Sequence, residues 1–159
     1  MLDVNQVAPD FSLPQLDAEQ VHFYDAANTN AVLVFYKHTC GTSRFALPFL
    51  QEIHQAYGDS LFFVAIAQDD EEPTRKLRDE LKLSIPILLD VNPFPVSSSY
   101  GLHTVPSIFL IGPDRKIQWT SYGFVKQDLL NFADILAEKT GRPQIDLFEG
   151  IEVPEIKPG

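Results

Sequence analysis

Cysteine is almost absent from this chain: among 159 residues there is one, Cys40. No intrachain disulfide can form, which excludes a disulfide-stapled secreted fold and fits a reducing compartment. Basic charge is scarce as well, with 12 Lys and Arg against 22 Asp and Glu and a formal net charge of −10. The basic residues are scattered, so the balance repels both a phosphate backbone and an anionic membrane surface, and no nucleic-acid partner is expected. Long apolar runs are missing too. The longest, Ala31–Tyr36 and Leu61–Ala67, are strand-length, far short of the ~18 to 20 residues of a membrane span. Met1–Asn5 is neither basic nor apolar in the manner of a leader peptide. The cytoplasm is therefore the expected compartment, with the periplasm the alternative should a leader precede this sequence. The four histidines (His22, His38, His54, His103) lack pairwise metal spacing, so neither a metal nor another cofactor is expected.

What is plentiful is core-forming volume: 45% of residues are hydrophobic and twelve are Phe. One domain of this length can bury a proper core. Phe11–Leu13 and Val21–Phe23 are short alternating segments that read as an N-terminal hairpin. Ala31–Tyr36 is an unbroken β-branched and aromatic run, the pattern of a strand buried on both faces, and Leu61–Ala67 is a second. From Thr42 the period becomes helical, with Leu47, Leu50, His54 and Tyr57 on one face, Pro48 inside and Gly58 as the stop. Asp69–Pro73 has the acids and proline of a helix start, and Leu77 and Leu81 point inward from that helix. Ile85–Leu89 is a short strand and Val96–Tyr100 a short helical turn. Ser107–Ile111 and Ile117–Tyr122 flank turn chemistry at Gly112–Lys116. Lys126–Lys139 is the last helix, with Gly141 as its C-cap. The pattern predicts an α/β domain over residues 1–140, a mixed β-sheet flanked by helices with an N-terminal β-hairpin extension. Residues 141–159 form a proline-containing tail that packs on the surface or stays mobile.

A lone cysteine is, by default, a small buried hydrophobe. Cys40 departs from that default by its place, after a buried strand and at the start of a helix. There the unpaired backbone N–H groups and the positive end of the helix dipole favour thiolate, the reactive form. Ser43, three positions on, could donate a hydroxyl hydrogen bond to the sulfur; its bland reading is an exposed first-turn serine. Val105-Pro106, ahead of the strand Ser107–Ile111, offers a rigid turn and a candidate cis peptide. Lys37 and His38 read as a solvated loop pair or as charges beside the thiol. Arg44 reads as an exposed helix residue, and Asp69–Glu72 as a solvated helix start.

The segment Val34–Leu50, with Thr39-Cys40-Gly41-Thr42-Ser43 at its centre, resembles the active-site segment of thioredoxin-like proteins. It is most similar to the redoxin/AhpC-TSA branch that includes the ResA/TlpA-type thiol-disulfide oxidoreductases. Ala8-Pro9-Asp10-Phe11-Ser12-Leu13 resembles that branch's N-terminal motif, and Tyr100–Asp114 its cis-proline strand and hairpin. Together the three motifs cover roughly Val7 to Thr140. The resemblance implies a thioredoxin fold with Cys40 as attacking thiol and Pro106 as the cis-proline. It also implies that the Val105 backbone pairs an extended substrate segment, and that Pro48 is the family's helix-kinking proline. Thr39 and Thr42 belong to the expected substrate-binding set.

One departure outweighs the matches. The family's disulfide exchangers carry Cys-x-x-Cys, and here the second position is Ser43. A single thiol cannot resolve its own mixed disulfide, so release needs an outside thiol. Three readings stay open: monothiol exchange with protein or small-molecule thiols and disulfides, a one-cysteine peroxidase working through a sulfenic acid, or a binding or chaperone-like module with an idle thiol. The peroxidase pattern places Pro seven residues and Thr or Ser three residues before the cysteine; Leu33 and Lys37 stand there. Oligomeric state is not readable from the sequence.

Overall fold

Six consecutive buried residues make β3 (Ala31–Tyr36), the centre of the molecule in a computed structural model that describes all 159 residues. β3 pairs in parallel with β4 (Phe62–Ala67) and antiparallel with β6 (Ser107–Ile111). Outside them lie β5 (Ile87–Leu89) and β7 (Ile117–Tyr122), giving a five-stranded sheet of order β5-β4-β3-β6-β7. Because side chains alternate along a strand, β3 feeds two cores. Val32, Val34 and Tyr36 face the helices α2 (Gly41–Tyr57) and α5 (Lys126–Thr140), while Ala31, Leu33 and Phe35 face Phe11, Phe23 and Tyr100 on the other side. This is the thioredoxin fold expected, with helices on both faces of a mixed sheet.

The N-terminal hairpin is present as β1 (Ser12–Leu13) and β2 (Val21–His22). Phe23 is not its last strand residue; it opens a short helix α1 (Phe23–Ala26) and stacks on Phe11 with ring centroids 4.8 Å apart. The segment after β1 covers an otherwise free edge of the sheet, since Leu89 N–H donates to the Pro14 carbonyl and Leu16 N–H to the Ile87 carbonyl. The hairpin turn is tied to α3 (Glu71–Leu81) through Asp17, whose carboxylate takes Arg75 at 2.7 Å and Arg78 at 2.8 Å. Hydrogen bonds from those two guanidiniums lower the Asp17 pKa to about 2.

Strand β5 begins at Ile87, later than the apolar run at Ile85. Pro86 has no N–H to give the ladder, although its carbonyl accepts from Ala65 N–H. Between β5 and the short helix α4 (Pro95–Ser99), Asp90 is fully buried and accepts the Val96 N–H, the Ser97 N–H and the Ser97 hydroxyl. Pro48 lies inside α2 on an exposed position, and α5 ends on Gly141 at φ 67. Gly58 follows α2 in right-handed geometry, so its requirement is space: a Cβ there would lie 2.5 Å from the His54 ring.

That ring packs edge-on against Phe63 at 5.1 Å, and its buried Nδ1 has no partner. Burial lowers the His54 pKa from its ordinary 6.5, opposed more weakly by Asp59. The unfolded chain therefore takes the proton more readily, so stability declines as pH falls through about 6.5, where the unfolded histidine titrates. Thermal melts between about pH 7.5 and 5.5 should show this decline, and His54→Leu should flatten it; an unchanged slope in the variant refutes the assignment.

The tail returns to the body of the protein. Leu147 and Phe148 are buried, with the Phe148 ring 4.9 Å from Phe49 and 6.1 Å from Phe124. The chain then forms β9 (Ile156–Lys157), antiparallel to β8 (Phe124–Val125). No helix is long and apolar enough to cross a membrane.

Candidate active site

Cys40 caps α2 in extended geometry, φ −87 and ψ 113, and its sulfur accepts the Ser43 N–H at 3.3 Å. β3 delivers the chain to this point buried, and the loop Lys37–Thr39 brings it to the surface, leaving Cys40 half-buried. On its other side the thiol donates to the Val105 carbonyl at 3.3 Å. The Val105–Pro106 peptide is cis. The Val105 N–H makes no hydrogen bond within the chain, and the Pro106 carbonyl accepts from Gly123 N–H at 2.8 Å. Helix start and cis-proline turn thus meet at one sulfur, 65 residues apart in sequence.

The other expected residues divide. Ser43 is fully buried and reaches the sulfur through its backbone N–H, while its hydroxyl accepts from Lys37 N–H at 3.5 Å. Thr42 is buried and its hydroxyl donates to the Pro158 carbonyl at 2.5 Å. Thr39 is exposed and makes no side-chain hydrogen bond. Arg44 ion-pairs with Glu80 and donates to the His38 carbonyl at 3.3 Å, so it fastens the loop before Cys40 to the helix after it.

Two contributors escape a reading of the sequence. Asp69 is not a solvated helix-start acid: its side chain is 2% exposed, and its carboxylate accepts the His38 N–H at 2.8 Å and contacts His38 Nδ1 at 2.5 Å. It lies two residues past the end of β4, at the carboxyl end of a parallel strand beside the loop that carries Cys40. That position is where open α/β sheets gather their functional groups. The second is the tail, whose Pro158 and Gly159 reach Thr42, Thr104 and Val105. No group of three or more His, Cys, Asp or Glu side chains is arranged to hold a metal ion.

The arrangement can expose one sulfur nucleophile, support its anion with a helix-terminal N–H, and offer an unpaired backbone N–H to an extended chain. Residues 4–120 match the AhpC/TSA family. Among characterised sequences, the chain is 29% identical over 117 residues to the thioredoxin-like protein YneN of Bacillus subtilis, covering 71% of this chain and 68% of that one. It is 25% identical over 130 residues to the thiol-disulfide oxidoreductase ResA of Geobacillus thermodenitrificans, covering 79% and 74%. Among solved structures, a putative thiol:disulfide interchange protein DsbE from Chlorobium tepidum superposes with a TM-score of 0.77 at 23% identity, over 88% of this chain and 99% of that one. The thioredoxin domain of a thiol-disulfide oxidoreductase from Bacteroides vulgatus gives 0.74 at 24%, over 85% and 98%.

Proposed function

This chain belongs to the AhpC/TSA family, and from that premise we propose that it is a thioredoxin-fold oxidoreductase that works by monothiol exchange through Cys40. The observation that carries the reading is the meeting, at one half-buried sulfur, of the Ser43 N–H and the carbonyl of Val105.

In the proposed step Cys40 loses its proton to solvent and the thiolate attacks one sulfur of a partner disulfide. A bond forms between Cys40 Sγ and that sulfur, the partner's S–S bond breaks, and its second sulfur leaves as a thiolate. An external thiol, protein or small molecule, then attacks the mixed disulfide and returns Cys40 as thiolate, leaving the partner joined to that thiol. The Ser43 N–H holds the attacking anion, and the free Val105 N–H is available to an extended partner backbone. Asp69 and His38 position the loop. A single thiol stays available for exchange where the surroundings keep it reduced, which favours the cytoplasm as the working compartment.

Peroxide reduction has less support. The buried Thr42 hydroxyl beside the cysteine is committed to the Pro158 carbonyl, and Lys37 occupies the position where the peroxidase pattern has a hydroxyl. Mass spectrometry of the protein mixed with a model disulfide should give a stoichiometric adduct at Cys40, released by added thiol, and none with Cys40→Ala. A Cys40 that forms no adduct at any disulfide concentration eliminates exchange and leaves the binding-module reading.

A further inference from the structure

The tail strand runs straight into the site. Lys126 N–H donates to the Glu155 carbonyl at 2.9 Å, and the register continues as Val125 opposite Ile156 and Phe124 opposite Lys157. Bonded and non-bonded pairs alternate in an antiparallel ladder, so Phe124 and Lys157 form the next bonded pair. Beyond them the Pro158 carbonyl accepts the Thr42 hydroxyl at 2.5 Å, and the Lys157 ammonium lies 5.3 Å from the centre of the Phe45 ring. Gly159 then sits so close to the cis-proline turn that a Cβ on it would come within 2.4 Å of the Val105 carbonyl oxygen and 2.3 Å of Thr104 Oγ1. That same Val105 oxygen accepts the Cys40 thiol. An extended stretch of this chain therefore crosses from β8, over the first turn of α2, to the atom flanking the reactive sulfur. Its hold is light: Ile156 is 66% exposed and no tail side chain beyond Val153 enters the core.

We propose that residues Glu155–Gly159 are a displaceable strap that occupies the surface an extended polypeptide partner needs beside Cys40. The proposal rests on the exchange reading for what the strap competes with. A partner backbone that approaches Val105 meets the volume filled by Gly159, and one that continues along β8 meets β9. Such a partner binds only the fraction of molecules in which the strap is off. A small disulfide needs neither surface and reaches the half-buried sulfur with the strap in place.

The test compares mixed-disulfide formation at Cys40 by an extended peptide disulfide and by a small aromatic disulfide. Three proteins are used: the full chain, a form ending at Val153, and full-length Lys157→Pro, which removes the N–H of the bonded pair. The peptide rate should rise about tenfold or more in the shortened form and several-fold in Lys157→Pro, because the strap no longer lowers the competent fraction. The small-disulfide rate should stay within about twofold, as no step of that reaction passes through the strap. A synthetic Val153–Gly159 peptide should slow the shortened form again and a scrambled one should not. Peptide rates equal in all three proteins, or a tail peptide no better than its scramble, overturn the proposal. So does a lowered melting temperature with an unchanged ratio of the two rates. The same comparison with a peptide-linked maleimide against N-ethylmaleimide reads access to Cys40 without disulfide exchange. A strap effect there with no exchange in any protein upholds the strap and removes the exchange reading.

Discussion

Ser43→Cys is expected to convert a thiol that turns over only with outside help into one that resolves its own mixed disulfide. Position 43 is three residues along the first turn of α2, where i and i+3 side chains are neighbours, and its backbone N–H already lies 3.3 Å from the Cys40 sulfur. A second sulfur there is within the span of an unstrained disulfide. With a dithiol reductant and no monothiol, the variant should reduce a protein disulfide about 10²-fold faster than the parent protein, since a held thiol replaces a bimolecular attack. Oxidation should join residues 40 and 43, which peptide mapping detects. A variant that accumulates the same mixed disulfide as the parent would show that position 43 does not reach the sulfur, and the single-thiol account of this chain would need another cause. The loss of the Ser43 hydroxyl costs little by comparison, as its one hydrogen bond is the 3.5 Å bond from Lys37 N–H.

Asp90→Ala should produce the largest loss of stability. The carboxylate is fully buried and accepts three hydrogen bonds, at 3.2 Å from Val96 N–H, 2.7 Å from Ser97 N–H and 2.7 Å from the Ser97 hydroxyl. It acts as the cap for α4 from five residues before the helix, where the N-cap residue Phe94 supplies no side-chain cap of its own. Alanine would leave those donors buried without partners, at a cost of about 3 to 5 kcal/mol. Denaturant titration should register the full shift in midpoint with little change in slope. A shift below about 1 kcal/mol would mean that water reaches the Asp90 pocket and replaces the carboxylate.

Much of the fold is legible in the sequence because periodicity reports burial. β3 is an apolar run buried on both faces, and its bounds follow from the run itself. α2 and α5 follow from their apolar stripes, and the hairpin from alternation across a short turn. The errors fall where one residue outweighs the pattern. Pro86 delays β5 by denying it a donor, and Phe23 leaves the hairpin because its ring is taken up by Phe11. In the site, the Cys40 thiol lies against the Val105 carbonyl, yet Ser43 reaches the sulfur with its backbone N–H and not its hydroxyl, and the Thr42 hydroxyl turns to the tail. Asp69 is hidden in the sequence because it opens an acidic run whose other members face solvent. Nothing in its neighbours marks it as the one that turns inward to His38, which is 31 positions earlier. The tail is hidden for a related reason. Its pairing with β8 spans only two residues on each side, too short to impose a period.

That two-residue ladder has a consequence for how the protein responds to its own abundance. β9 faces β8 on the same polypeptide, so its local concentration is set by the chain between them and not by the number of molecules in solution. Dilution leaves its occupancy unchanged, and so does overproduction. A free competitor of identical sequence would fade as the protein became scarce, whereas this one holds the same share of every molecule. The balance at Cys40 is then tipped only from outside, by how much partner is present and how tightly it grips.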